Sequence, residues 1–308
     1  MHAQQTTQQQ PAQETRQPTT TLTVTTQVVA LDALVRNHDG DLVQSLDKAD
    51  FTLKVDGKPT DIRYFNRDND LPLTIGLLVD TSGSEAVYFD EEARSSQLFF
   101  EHILTNPEDR ALVVRFDSRV LELQKMTSSQ PALRNALRLL DYRDPAIGTT
   151  HGGTLLYDAL AIVCKSVINH DTGRRALLVL TDGDDNGSAI SLDEAIHQAQ
   201  LNNVAIYSVL YTREVIGGAI YPHSGSSRPS GIDIMRQIAK ATGGRSFIVG
   251  MGQSTAQIYA EIEADLRSQY RFGFTPPPSK PGKFHSLDLR PTDRRLTIQS
   301  RAGYYTPQ

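Results

Sequence analysis

The sequence predicts an α/β chain: a doubly wound, mostly parallel sheet inserted into a small β-sandwich built from the two flanks. Three observations carry this. From Leu71 to about Ser268, short apolar runs alternate with segments of helical periodicity, the pattern of a sheet with helices on both faces. Two of the runs, Leu73–Asp80 and Ala176–Asp182, lack alternation and end in an aspartate, as strands buried on both faces do. Outside this region, residues 21–69 and 269–308 are rich in Val, Thr and aromatics at alternate positions, which reads as antiparallel β.

The elements follow in chain order. Residues 1–20 are Gln, Thr and Pro, too poor in apolar groups to offset their ordering entropy, and read as a disordered tail. Leu22 to Val35 reads as β, and Asn37-His38-Asp39-Gly40 as the turn of a hairpin. Leu46–Asp50 fits one helical turn capped by an aspartate. Phe51–Val55 is an alternating strand running into the Asp56-Gly57 turn, with Ile62–Phe65 as the returning strand. Then come a strand at 73–80, a helix from Glu92 to Leu104, a strand at Ala111–Phe116, and Val120–Gln124 as an antiparallel edge. Gln130–Leu140 is a helix, as is the stretch after Thr154 up to Val167. The strand ending at Asp182 precedes a helix over Ser191–Asn202, which opens Ser-x-x-Glu as a capping box does. Val204–Leu210 is a strand, Gly217–Gly231 a loop, Ile232–Thr242 a helix closed by Gly243-Gly244, Ser246–Val249 a strand, and Ser254–Arg267 the last helix. Gln269–Thr275, His285–Arg290 and the run Leu296–Tyr305 are the closing strands. The expected boundaries are thus 1–20, 21–69, 70–268 and 269–308, with both flanks sharing one folding unit.

The chemistry concentrates where the apolar strands stop. Asp80-Thr81-Ser82-Gly83-Ser84 offers a carboxylate and two hydroxyls in one tight turn at the carboxyl edge of the sheet, where open α/β folds bind ligands. These are hard oxygen donors, suited to Mg²⁺, Mn²⁺ or Ca²⁺. One turn cannot complete a six-coordinate shell. Two further stretches place oxygens in equivalent positions: Gly152-Gly153-Thr154 at a loop-to-helix junction, and Thr181-Asp182-Gly183 at the end of the second buried strand.

Together the three stretches resemble the metal-ion-dependent adhesion site of the von Willebrand factor A family, whose pattern is Asp-x-Ser-x-Ser, a Thr in a Gly-Gly-Thr loop, and an Asp in a Thr-Asp-Gly turn. Residue by residue, the resemblance assigns Asp80, Ser82, Ser84, Thr154 and Asp182 as metal ligands. It implies that a cation held by three neutral hydroxyls and few carboxylates keeps an open position for an Asp or Glu carboxylate of a protein partner. The sandwich flanks, with Gly57-Lys58-Pro59 and the ending Gly303-Tyr304-Tyr305, also resemble a bacterial subfamily of von Willebrand A-related proteins. Glu85, His151, Asp184 and Asp185 line the rim; the acids among them tighten the metal and oppose an acidic ligand.

Plainer readings stand beside these. Thr154 taken singly fits a helix N-cap, and the Asp80 turn could cap the helix after it. Asp182–Ser188 imitates a calcium loop, but a strand precedes it and position twelve is Asp193 rather than Glu. His151 reads as a solvated loop residue, and Cys164, the single cysteine, as a buried small hydrophobe.

Composition narrows the classes. A net charge of −5 with no basic stripe argues against nucleic acid, and no stretch has the roughly 18 apolar residues of a membrane span. No signal peptide is visible from Met1, yet Ala3-Gln4-Gln5-Thr6-Thr7 looks like the start of a mature exported chain. The expectation is a divalent-metal-dependent binding module, periplasmic, secreted or at the cell surface, and not an enzyme. Its alternatives are a metal-assisted hydrolase using the same cation, and a structural metal with no ligand.

Overall fold

The computed structural model describes residues 28–67, 71–83, 88–140, 153–166, 173–211, 215–216, 219–220 and 229–306. The first flank contributes β1 (Val29–Arg36), β2 (Phe51–Val55), β3 (Lys58–Thr60) and β4 (Tyr64–Asn66). The centre holds β5 (Leu73–Asp80), α1 (Phe89–Ile103), β6 (Arg110–Phe116), β7 (Val120–Thr127), α2 (Gln130–Leu137), α3 (Leu156–Ser166), β8 (Arg174–Thr181), α4 (Leu192–Leu201) and β9 (Val204–Leu210). A two-strand ribbon, β10 (Val215–Ile216) and β11 (Ala219–Ile220), precedes α5 (Gly231–Thr242), β12 (Ser246–Ile248) and α6 (Thr255–Arg267). The second flank supplies β13 (Tyr270–Phe274), β14 (Phe284–Pro291), β15 (Thr297–Ser300) and β16 (Gly303–Tyr305).

The central sheet runs β12-β9-β8-β5-β6-β7, all parallel except the β7 edge. Every residue of β5 is buried, because helices cover both faces. Leu73, Ile75, Leu77 and Val79 face a core with Phe99, Phe100, Leu133, Ile258 and Ile262, from α1, α2 and α6. Leu78 faces the opposite core with Leu160, Val163, Ala195 and Ile238, from α3, α4 and α5. That two-sided burial is why β5 reads as a continuous apolar run. Chain order reverses at β5: the next strand, β6, lies on one side, and β8 lies on the other. The gap between β5 and β8 is therefore the switch point of the sheet, where crossovers diverge and leave a crevice at the carboxyl ends. Helix ends follow their capping residues. Ser191 Oγ accepts from Glu194 N at 3.2 Å, Ser254 Oγ from Gln257 N at 3.3 Å, and Gly243 closes α5 at φ 85.

The two flanks interleave into two antiparallel sheets, β15-β1-β13-β4 and β16-β14-β2-β3, around a common core of Leu31, Val35, Phe51, Leu53, Phe272, Leu289 and Tyr304. Three expectations change here. The strand returning from the Asp56-Gly57 turn is Lys58–Thr60; Tyr64–Asn66 crosses instead to the other sheet and pairs with β13. The run Leu296–Tyr305 is two strands, not one: it bends at Arg301-Ala302, so β15 joins β1 and β16 joins β14. The Asn37–Gly40 turn forms, with Asn37 N donating to Asp41 O at 2.9 Å, but the hairpin beyond it is a single bridge, Arg36 to Leu42. The stretch 217–231, expected as a plain loop, contains β11, which pairs with β10 just before it. The polar tail, the first part of the Leu22–Val35 strand and most of the loop before α5 lie outside the described residues.

Buried ion pairs tie flank to centre. Arg36 of β1 and Arg245 both hold Asp265, which is fully buried at the end of α6. Arg174, also buried, donates to Gln269 O at 2.7 Å. None of the described helices is long and apolar enough to cross a membrane.

Candidate metal centre

Asp80 ends β5 and forms the floor of the switch-point crevice, with no surface exposed. Both its oxygens are engaged: Oδ1 accepts from Ser82 N at 2.9 Å, and Oδ2 accepts from Thr181 Oγ1 at 2.7 Å. Thr181 ends the neighbouring strand β8, is fully buried, and accepts in turn from Gly183 N at 3.0 Å. Burial pushes the Asp80 carboxyl up to about 6, against the pull of its hydrogen bonds from Ser82 and Thr181, and the Asp182 charge adds to the rise.

Asp182 follows Thr181 and is half-buried; its Oδ1 accepts from Asp184 N at 3.1 Å. The turn it opens is clamped. Gly183 lies at φ 86, and a Cβ there would meet Gly231 O at 2.5 Å. The first residue of α5 thus presses directly on this turn, and only glycine fits on either side.

Thr154 arrives from a third loop. Its N–H donates to Asn186 O at 3.0 Å and its carbonyl accepts from Asn186 N at 2.9 Å, so the loop is bound to the segment after Asp182. Leu155 N donates to Asp117 O at 2.9 Å, which ties the same loop to the end of β6. Thr154 does not cap α3. Asp185 does, accepting from Tyr157 N at 3.1 Å, and Ser188 Oγ accepts from Asp158 N at 3.1 Å. The Thr154 hydroxyl takes no hydrogen bond among the described residues.

The structure therefore gathers Asp80, Ser82, Thr154 and Asp182 at one edge of the sheet on interlocked loops. Ser84, Glu85 and His151 lie outside the described residues. Asp184 is exposed on the rim. Asp185, expected on that rim, is drawn instead onto α3, where Ser188 Oγ also donates to it at 2.5 Å. The calcium-loop reading fails on backbone: a strand, not a helix, enters the stretch. Cys164 is fully buried, and burial pushes its thiol up.

A divalent cation fits this donor set. Among the described residues no three His, Cys, Asp or Glu side chains converge on one point. A cation here must lean on hydroxyls beside its carboxylates, which selects a hard metal over one that prefers thiolate or imidazole.

Two features were invisible in the sequence. Thr181 stands in the sequence only as the residue before Asp182, yet its hydroxyl orients Asp80. Glu92, in the first turn of α1, reads as an ordinary acid near a helix start, yet it is completely buried with neither oxygen hydrogen-bonded among the described residues. Burial first, then the charges of Asp80 and Glu91, push its carboxyl up to about 8.

A second constellation lies on the flanking sheets. His285 Nδ1 is 2.7 Å from Asp56 Oδ2, and its Nε2 is 2.9 Å from Ser279 Oγ. The connectivity is that of an acid–base–hydroxyl relay. The imidazole, however, is 1% exposed and stacked on Tyr304 at 5.2 Å, and Ser279 Oγ is also 2.8 Å from Thr306 Oγ1. No substrate reaches such an imidazole, so the relay ties the proline-rich turn to the β2–β3 hairpin.

Comparison with known proteins agrees with the fold. The family model described as von Willebrand factor type A domain matches residues 75–184, the span from β5 to just past Asp182. Among solved structures, the von Willebrand factor type A protein from Catenulispora acidiphila is 11% identical, with 93% of this chain and 75% of that one covered at a TM-score of 0.50. That likeness concerns the fold alone. An aerotolerance-related membrane protein from Bacteroides fragilis is 15% identical over 63% of this chain and 98% of its own, at a TM-score of 0.47. The proximal thread matrix protein 1 of the mussel byssus, in a structure with a zinc-occupied adhesion motif, is 16% identical over 70% of this chain and 50% of its own, at 0.47. No curated protein matches.

Proposed function

We propose that this chain, whose residues 75–184 match the von Willebrand factor type A domain, is a divalent-cation-dependent protein-binding module. Asp80, Ser82, Ser84, Thr154 and Asp182 would hold Mg²⁺, with Mn²⁺ and Ca²⁺ as the alternatives. The partner would present an Asp or Glu carboxylate to the cation's open position, and the module would belong to an exported or surface-associated bacterial protein.

The observation that supports this most is the convergence of three loops at the switch point, with the Thr154 hydroxyl left without a partner among the described residues while neighbouring side chains take over the capping of α3. A hydroxyl tied in place by its own backbone, with its oxygen unused, fits a ligand better than a helix cap. The bound cation supplies Lewis acidity toward a carboxylate. The chain's own residues hold Asp80 in orientation through Thr181 and keep the Asp182 turn rigid through Gly183 and Gly231.

Titration calorimetry with Mg²⁺ and Mn²⁺ tests the reading. Wild type is expected to bind one cation, and Asp80→Ala to lose it with an unchanged circular-dichroism spectrum. Equal affinity in the two proteins overturns the assignment. Partner capture in Mg²⁺ that disappears in EDTA and returns with added metal tests the functional half.

A further inference from the structure

We propose that Glu92 belongs to the metal centre as the acid behind Asp80, acting on the cation through ordered water and through Asp80 rather than by direct ligation. The proposal rests on the metal reading above and deepens it.

Glu92 lies in the first turn of α1, the helix that follows the Asp80 loop. It is 0% exposed, and neither Oε1 nor Oε2 has a hydrogen-bond partner among the described residues. Native structures seldom leave a buried carboxyl with both oxygens idle; water or an ion completes such a group. The same helix shows what ordinary partnering looks like. Glu91 accepts from Thr255 Oγ1 at 2.6 Å, and Ser96, one turn further on, is 3.1 Å from the Tyr259 hydroxyl. Asp90 is exposed to solvent. Of the three acids in this turn, Glu92 is the one buried without a partner among the described residues, and the Asp80 charge adds to the effect of its burial.

The arrangement of the acids argues against direct ligation. Asp80, Asp182 and Glu92 do not converge as three metal ligands, since no such group of three exists among the described residues. An acid that stands outside such a group, yet is buried in the first turn of the helix that follows the Asp80 loop, acts on Asp80. It fixes the Asp80 carboxylate through water and adds negative potential beneath the cation. A cation with Asp80, Asp182 and Glu92 around it has its charge more than matched. Such a centre holds its metal firmly and grips an anionic partner less strongly than a centre with two acids.

The test uses the full chain with Mn²⁺ as the probe, read by titration calorimetry and electron paramagnetic resonance. Four proteins are compared: wild type, Glu92→Gln, Glu92→Asp and Asp80→Asn. Glu92→Gln is expected to weaken Mn²⁺ binding about 10- to 100-fold, the usual loss when a group behind a metal ligand is removed. Its metal-free melting temperature should be unchanged or higher, because a neutral amide replaces an uncompensated acid. Glu92→Asp keeps the charge and should recover part of the affinity. If Glu92→Gln binds Mn²⁺ like wild type while Asp80→Asn does not, the proposal falls and the metal reading stands. If Glu92→Asp binds no better than Glu92→Gln, charge is not what matters and the proposal also falls. Should wild type itself bind no Mn²⁺, both readings fail together.

Discussion

Asp80 uses its two oxygens for two neighbours, and one of them can be removed without touching the carboxylate. Thr181→Val keeps the shape of a buried β-branched side chain and deletes the 2.7 Å bond to Oδ2. The expected result is a roughly tenfold weaker Mg²⁺ or Mn²⁺ affinity with an intact fold, measured by calorimetry and circular dichroism. Unchanged affinity would mean that strand geometry alone orients Asp80. The raised carboxyls add a pH dependence whose sign is fixed. In the metal-free protein Asp80 is pushed from 3.8 up to about 6 and Glu92 from 4.5 up to about 8. The folded state then holds protons that the unfolded state has released. Stability therefore falls as pH rises from about 4 through 8; Asp80 alone contributes a loss on the order of 3 kcal/mol. A bound cation favours the charged forms and cancels this loss. The rise in melting temperature caused by Mg²⁺ should thus be larger at pH 8 than at pH 5; equal shifts at both would show that these acids do not serve the cation. The aspartates were legible in the sequence because each stands where an apolar strand stops. Glu92 and Thr181 were not, because burial beside Asp80 is set by packing between α1, β5 and β8.

At the scale of an element, the segment after β8 divides its charges between two tasks. Asp184 is exposed, whereas Asp185 is committed to the first turn of α3. Asp185→Ala should lower stability by about 0.5–2 kcal/mol, the ordinary cost of a lost helix cap. Asp184→Asn should leave stability alone and strengthen the binding of an acidic partner at low salt more than at high salt, since the removed repulsion is screened. Denaturant melts and binding isotherms at two ionic strengths separate the two residues; a loss of stability from Asp184→Asn would reverse the division. Sequence grouped both acids on one rim because it could not show the segment folding across the start of α3. The glycine after Asp182 was legible as a turn, but not as a contact. Gly183→Ala places a methyl against Gly231 O in a left-handed backbone, and should cost on the order of 1–3 kcal/mol and loosen metal binding as well.

Over the whole molecule, the interleaving of the flanks decides what can fold alone. Each flanking sheet contains strands from both ends of the chain: β1 is hydrogen-bonded to β13 and β15, and β2 to β14. The alternating pattern announced those strands in the sequence. Their partners were hidden, because a strand such as 296–305 can change sheets at one bend without altering its alternation. A fragment of residues 28–67 lacks both strand partners of β1, β13 and β15, and lacks β14 for β2, so it is expected to show no cooperative melt. A fragment of residues 71–267 keeps the whole central sheet, both of its cores, and every described metal-site residue. It should fold and bind Mn²⁺ within a few-fold of the full chain. It should also melt at a lower temperature, for two identifiable reasons. Arg174 loses its acceptor at Gln269 O, and Asp265 keeps Arg245 but loses Arg36. Each buried group left short of a partner costs about 1–3 kcal/mol. Restoring the chain to residue 269 should return part of the difference, because it gives Arg174 its carbonyl back. A fragment 28–67 that melts cooperatively would show that the first flank folds without the second. A fragment 71–267 that folds yet binds no Mn²⁺ would place part of the metal centre's support in the flanks, against the reading that the three loops at the switch point suffice.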